Sequence, residues 1–173
     1  KTDGSRKRLN ESILRWTQLG LFVEKQQKIS FSEIVKARFK RQNLEKFTFE
    51  LPSILREVIF KKENNQSFWD AEKSKAADLT RGLAWLLSQN IYEVPLDNQA
   101  LVQTAEIRQI GEKEKTIVQN DVRYTALRNW GHYLGFSWQS RGLMIDPTKA
   151  ISEELFQLCK PAKEYSANEF IEM

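Results

Sequence analysis

Apolar residues recur at helical spacing near the start of the chain. Leu9, Ile13, Trp16 and Gly20 fall on one face while Glu11, Arg15 and Gln18 point away, which predicts a helix from about Arg6 to Leu19 capped by Ser5. Gly20 ends it, and the alternating stretches Leu21 to Lys25 and Lys28 to Phe31, joined by Gln26-Gln27, read as a hairpin. A second helix is expected from Glu33 to about Arg41, capped by Ser30 or Ser32, and a third from Pro52, as a first helical residue, to about Lys61. The stretch Lys61 to Ser67 contains no apolar residue and reads as a linker.

Beyond it, Ala76, Leu79, Leu83, Leu86 and Leu87 form a wide stripe in a helix predicted over Trp69 to Gln89, with Trp85 beside the stripe. Asp97 or Asn98 caps the next helix, to about Ile110, with Leu101, Ala105 and Ile107 expected inward and Gly111 closing it. Asn120 or Asp121 opens a helix to Leu134, carried by Val122, Ala126, Leu127, Trp130 and Leu134. Gly135 follows, then a second hairpin over Phe136 to Ser140 and Leu143 to Ile145, turned at Arg141-Gly142. Asp146-Pro147 starts another helix with Ile151, Leu155 and Leu158 inward, and Ser166 caps a last one.

One phrase occurs twice, as Leu14-Arg15-Trp16 followed by Leu19-Gly20-Leu21-Phe22, and as Leu127-Arg128-Asn129-Trp130 followed by Leu134-Gly135-Phe136. Each copy sits where a helix gives way to a hairpin, with glycine allowing the left-handed turn between them. Helix, glycine and two-stranded wing form the end of a winged-helix unit. The expected fold is therefore mainly α with short β-hairpins, built from winged-helix-like units in tandem, the first incomplete because its two leading helices would lie upstream of Lys1. The expected division is a basic unit over 1–62, a linker over 63–69 and a second unit with C-terminal helices over 70–173.

Composition sharpens this picture. With 173 residues, 40% hydrophobic and 11% aromatic, the chain can bury a core. No stretch approaches the roughly 20 apolar residues of a membrane span, so a cytoplasmic protein without a membrane partner is expected. One cysteine and one histidine, Cys159 and His132, cannot make a zinc site. Charge is uneven: residues 1 to 62 hold 15 Lys and Arg against 7 Asp and Glu, a net +8, and the remainder holds 12 against 16, a net −4. Such a bias suits an anionic partner, nucleic acid ahead of lipid, although a basic solvated face would look the same.

Catalytic patterns are missing from the sequence. Its seven glycines form neither a P-loop nor a dinucleotide fingerprint, and no nucleophile elbow accompanies His132. The pairs Glu153-Glu154 and Glu112 with Glu114 read as solvated helix faces. No enzymatic activity and no cofactor are expected.

The candidate DNA-binding residues begin with Arg6, Lys7, Arg8 and Arg15 on the first helix and Lys25 and Lys28 beside the first hairpin turn. Lys36, Arg38, Lys40 and Arg41 put four cations into six residues, where they also complement the end of a helix dipole. Arg128, His132 and Arg141 are the corresponding groups of the second copy, a weaker set with Asp121 nearby. Duplex DNA held mainly through its phosphates is the leading partner, and a scaffold docking onto a larger enzyme is the rival.

The segments Asp78 to Leu87, Asn120 to Tyr124 and Trp130 to Phe136 resemble the DpdG-type proteins of bacterial anti-phage clusters, which insert 7-deazaguanine derivatives into DNA. The resemblance lies in the second half and rests on core-type residues. It implies a non-enzymatic accessory component of a DNA-modification or defence system and supplies no catalytic residue.

Overall fold

The computed structural model describes residues 3–39, 44–70, 75–139, 142–159 and 163–172. Helix α1 (Asp3–Leu19) runs into strands β1 (Phe22–Lys25) and β2 (Lys28–Phe31), followed by α2 (Glu33–Phe39) and α3 (Leu44–Ile59). Helices α4 (Ala77–Leu87), α5 (Gln99–Ile110) and α6 (Asp121–Tyr133) then precede β3 (Ser137–Gln139), β4 (Leu143–Ile145), α7 (Thr148–Leu158) and α8 (Ala167–Glu172). The described fold is mainly helical with two small antiparallel hairpins. None of its helices is long and apolar enough to cross a membrane.

The repeated phrase folds the same way twice. Gly20 has φ +89 and donates to the Thr17 carbonyl at 3.1 Å, while Leu21 N–H reaches the Trp16 carbonyl at 2.9 Å. Gly135 has φ +83 and donates to the His132 carbonyl at 3.1 Å, while Phe136 N–H reaches the Gly131 carbonyl at 2.9 Å. Both are Schellman closures, which need a left-handed residue and therefore favour glycine. The match continues outward: the Leu21 carbonyl accepts from Ser32 N–H at 2.9 Å and the Phe136 carbonyl from Asp146 N–H at 3.1 Å. Each copy is thus helix, glycine, hairpin and following helix.

The two tryptophans do not share this register. Trp16 lies four residues before its glycine and Trp130 five before its own, a difference of about 100° around a helix. They meet edge to face instead, with ring centroids 5.7 Å apart at 62°, and so pack α1 on α6.

Helix α3 lies between the two junctions. It begins well before Pro52, correcting the expectation that Pro52 opens it. Burial of Phe47, Ile54, Leu55, Val58 and Ile59 outweighs the roughly 3 kcal/mol that an interior proline costs. From this helix Arg56 Nη1 donates to the Leu134 carbonyl at 2.7 Å, and from the turn beyond it Asn64 Nδ2 donates to the Leu19 carbonyl at 2.9 Å. These are the last carbonyls of the two junction helices, so each buried end finds a side-chain donor. The polar stretch from Lys61 holds a 3-10 turn over Lys62–Asn64, and Asn65 Nδ2 bonds the Ile59 and Lys61 carbonyls at 2.8 and 2.9 Å. One apolar cluster runs from Leu19 and Val35 through Ile54 to Leu83, Leu127 and Leu134.

Several predicted inward faces are corrected. Leu9 is 53% exposed, as the whole stretch of α1 from Gly4 to Ser12 is exposed. Trp69 lies in a turn ahead of α4 and not within it, with Arg81 above its ring at 5.3 Å. On α5 the buried pair is Val102 and Glu106; Leu101 is exposed and Ile107 only partly covered. The Glu106 carboxylate is fully buried because it accepts the N–H groups of Ile117 and Val118, both at 2.8 Å, fixing the approach to α6. Among the described side chains of α7, Ala150 is buried, and Ile151 and Leu158 are about half exposed.

The pair Glu153 and Glu154, read as a solvated face, holds the buried Arg56 guanidinium at 2.7 and 2.9 Å. At the second hairpin, Asp97 Oδ1 accepts Leu143 N–H at 2.7 Å, and a Cβ on Gly142 would lie 2.2 Å from the other Asp97 oxygen. A side chain there would push the Asp97 carboxylate off the Leu143 N–H.

Candidate nucleic-acid interface

Arg6, Lys7 and Arg8 lie on the exposed part of α1, and Lys25 and Lys28 oppose each other directly across the first hairpin. The turn between the lysines carries Gln26 and Gln27 at φ +50 and +60, the left-handed pair of a tight I′ turn. Like charges opposite one another weaken a hairpin, a repulsion that a bound anion would relieve. Among the described residues none of these five cations makes an ion pair.

The cations of α2 are differently placed. Lys36 Nζ lies 2.8 Å from Glu33 Oε1, and Arg38 Nη2 lies 2.9 Å from Glu57 Oε2. Arg38 Nη1 also donates to Ser53 Oγ at 3.3 Å. Their charge is matched within the protein, while Lys40 and Arg41 lie outside the described residues.

In the second copy the Arg128 guanidinium sits 5.7 Å from the Tyr124 ring centroid, with its Nε buried and unpartnered. His132 is exposed, its Nδ1 3.1 Å from the Ser137 carbonyl. Arg141 lies outside the described residues. Tyr124 is buried and its hydroxyl donates to the Leu96 carbonyl. Burial pushes its phenol up to about 12, with Arg128 opposing the shift and Asp97 adding to it. This tyrosine is a packed anchor beneath Arg128.

Arg15 leads to a feature that the sequence pattern did not reveal. Its Nη2 donates to the Lys75 carbonyl at 2.7 Å, and both residues line a cleft of about 710 Å³ between α1, α4 and α6. Arg8 and Arg15 from one side and Lys75 and Arg123 from the other bring four cations to it, against Glu11 and Asp78. Asp78 is already engaged, 2.7 Å from Arg81 and 4.0 Å from Arg123. Below the charges, Trp16, Leu79, Leu127 and Trp130 give the cleft an apolar floor. Lys75 and Arg123 were missed as site residues. Arg123 was within reach of helical spacing, since it precedes Leu127 by four residues and Trp130 by seven on one face of α6.

No cluster of three or more His, Cys, Asp or Glu able to hold a metal stands among the described residues. Comparison with known proteins finds that the model of a family described as DpdG-like matches the chain over residues 1–173, well beyond the second-half segments that carry the resemblance. No curated protein and no solved structure matches it.

Proposed function

Because the chain belongs to the DpdG-like family, we propose that it is a DNA-binding accessory component of a DNA-modification and anti-phage defence system, carrying no catalytic step itself. It holds duplex DNA through phosphates along α1 and the first hairpin. The observation that supports this most directly is the set of five exposed cations there, Arg6, Lys7, Arg8, Lys25 and Lys28, free of acidic partners among the described residues. A phosphate backbone supplies the charge that these side chains lack.

We read the order α4, α5, α6, β3, β4 as a winged-helix unit, with α1, β1 and β2 repeating its last helix and wing. In that geometry the helix before the wing enters the groove and the wing tip reaches the backbone. Base readout is not part of the proposal, because cations dominate the exposed face of α1.

The test is a titration of labelled duplex DNA of unrelated sequences at low and at moderate salt. Binding at physiological salt is expected on the order of 1 to 100 µM, weakening steeply with salt and similar across sequences. Reversing Arg6, Lys7 and Arg8 to Glu should abolish it. The absence of duplex binding at low salt would overturn the proposal in favour of a scaffold. That second reading draws on the apolar groove between α3, α7 and α8, where Ile151, Leu158 and Phe170 stand about half exposed.

A further inference from the structure

The cleft between α1, α4 and α6 differs from the exposed helix beside it. An extended phosphate backbone needs only an accessible row of cations, and α1 provides that without a cavity. Here about 710 Å³ of space lies between cations and an aromatic floor, a volume in the range of small-ligand sites. The rim carries four cations and two acids, so an anionic group is favoured over a neutral or cationic one. Arg15 is anchored by one bond to the Lys75 carbonyl, which fixes the guanidinium while leaving further donors of its fork for an anion.

The floor completes the case. Trp16 and Trp130 are partly buried and locked edge to face, and indole surfaces held in this way are stacking or edge partners for planar rings. An anionic group at the rim and a planar ring at the floor together describe a nucleotide. A lipid would suit neither the size nor the aromatic walls, and an acidic peptide would leave the indoles without a planar partner.

We infer that this cleft takes a single unstacked nucleotide, its base against Trp16 and Trp130 and its phosphate among Arg8, Arg15 and Arg123. A base within duplex DNA cannot reach such a floor without leaving its stack, so the cleft favours a single-stranded or opened nucleotide. The inference rests on the nucleic-acid reading of α1 for its source of nucleotide. The same chemistry could also come from a free nucleotide.

The experiment compares three probes on the full chain: a labelled single-stranded oligothymidylate of about twelve residues, the same strand annealed to its complement, and free thymidine monophosphate. Intrinsic tryptophan fluorescence is read alongside anisotropy. Single strand is expected to bind roughly tenfold tighter than duplex and to quench tryptophan emission. Ala126 lines the cleft and is exposed on α6, so Ala126→Phe should obstruct the cleft while the protein stays folded by circular dichroism. That variant should lose the single-strand advantage and the quenching, with duplex binding within about twofold of wild type. Trp16→Phe should retain binding and lose part of the quenching.

Equal binding of single strand and duplex without quenching, or quenching that survives Ala126→Phe, would overturn the cleft assignment and leave the duplex surface standing. Loss of all binding at low salt would overturn both. If free thymidine monophosphate quenches as well as the strand does at equal nucleotide concentration, the source is a free nucleotide.

Discussion

Replacing the two junction glycines by alanine separates what the repeated closures share from what they do not. Each glycine has φ above +80, where alanine pays about 1 to 2 kcal/mol for the left-handed conformation. Loss of chain entropy in the unfolded state returns roughly 0.4 to 1 kcal/mol. At Gly20 nothing lies within 4 Å of a built Cβ, so Gly20→Ala should cost only the difference, about 1 kcal/mol.

At Gly135 the same Cβ would stand 3.1 Å from the Ala150 nitrogen and 3.4 Å from Lys149. That nitrogen donates to the Gly135 carbonyl at 3.1 Å, so the start of α7 must give by a few tenths of an ångström. Steric strain of about 1 to 3 kcal/mol adds to the conformational cost, and Gly135→Ala should destabilise by about 3 kcal/mol. The assay is equilibrium urea unfolding followed by tryptophan fluorescence. Equal costs for the two variants would show that α7 does not press on the second junction as described, and no cost for either would refute the left-handed closures.

Three further outcomes follow from buried polar groups. Glu106→Gln should cost about 2 to 3 kcal/mol in the same assay, because an amide offers one acceptor where the Ile117 and Val118 N–H groups need two. Arg56→Met should cost about 2 to 4 kcal/mol by leaving the Leu134 carbonyl without its donor, while Glu153→Gln, at a partly exposed partner, should cost less than about 1 kcal/mol. Tyr124, with its phenol raised from 10 to about 12, keeps its proton in the fold after the unfolded chain has lost its own. Its stabilisation is therefore full below pH 10 and falls by roughly 3 kcal/mol between pH 10 and 12. Tyr124→Phe should remove that part of the alkaline loss in unfolding curves taken across the window.

Local chemistry made much of the fold legible. Asn98 accepts from Ala100 and Leu101, Asn120 accepts from Arg123, and Ser166 and Glu169 exchange bonds at the start of α8, so these helix starts followed from short polar side chains. The glycine closures followed from spacing. What escaped depended on contacts across the chain. Pro52 sits inside α3 because burial of its stripe wins over propensity, and Glu106 occupies a core face because donors eleven and twelve residues away receive it.

The candidate site divides along the same line. Arg6, Lys7, Arg8, Lys25 and Lys28 are where exposure and spacing put them. The Lys36–Glu33 pair was within reach of i,i+3 spacing on α2, but sequence could not tell that Arg38 faces Glu57, nor that Arg15 reaches Lys75 sixty residues away beside a cleft. The Arg38 and Arg15 pairings arise only when α2 packs on α3 and α1 packs beside α4.

The most direct test of the phosphate reading of α1 and the first hairpin is the dependence of duplex affinity on salt. A plot of log affinity against log salt for wild type, Arg8→Gln, Lys28→Gln and Lys36→Gln reports how many phosphates each side chain neutralises. Arg8→Gln and Lys28→Gln should each reduce the slope by about 0.9, and Lys36→Gln, whose ammonium is already paired with Glu33, should change it by much less. Slopes unchanged by Arg8→Gln and Lys28→Gln, with affinity retained, would contradict the account.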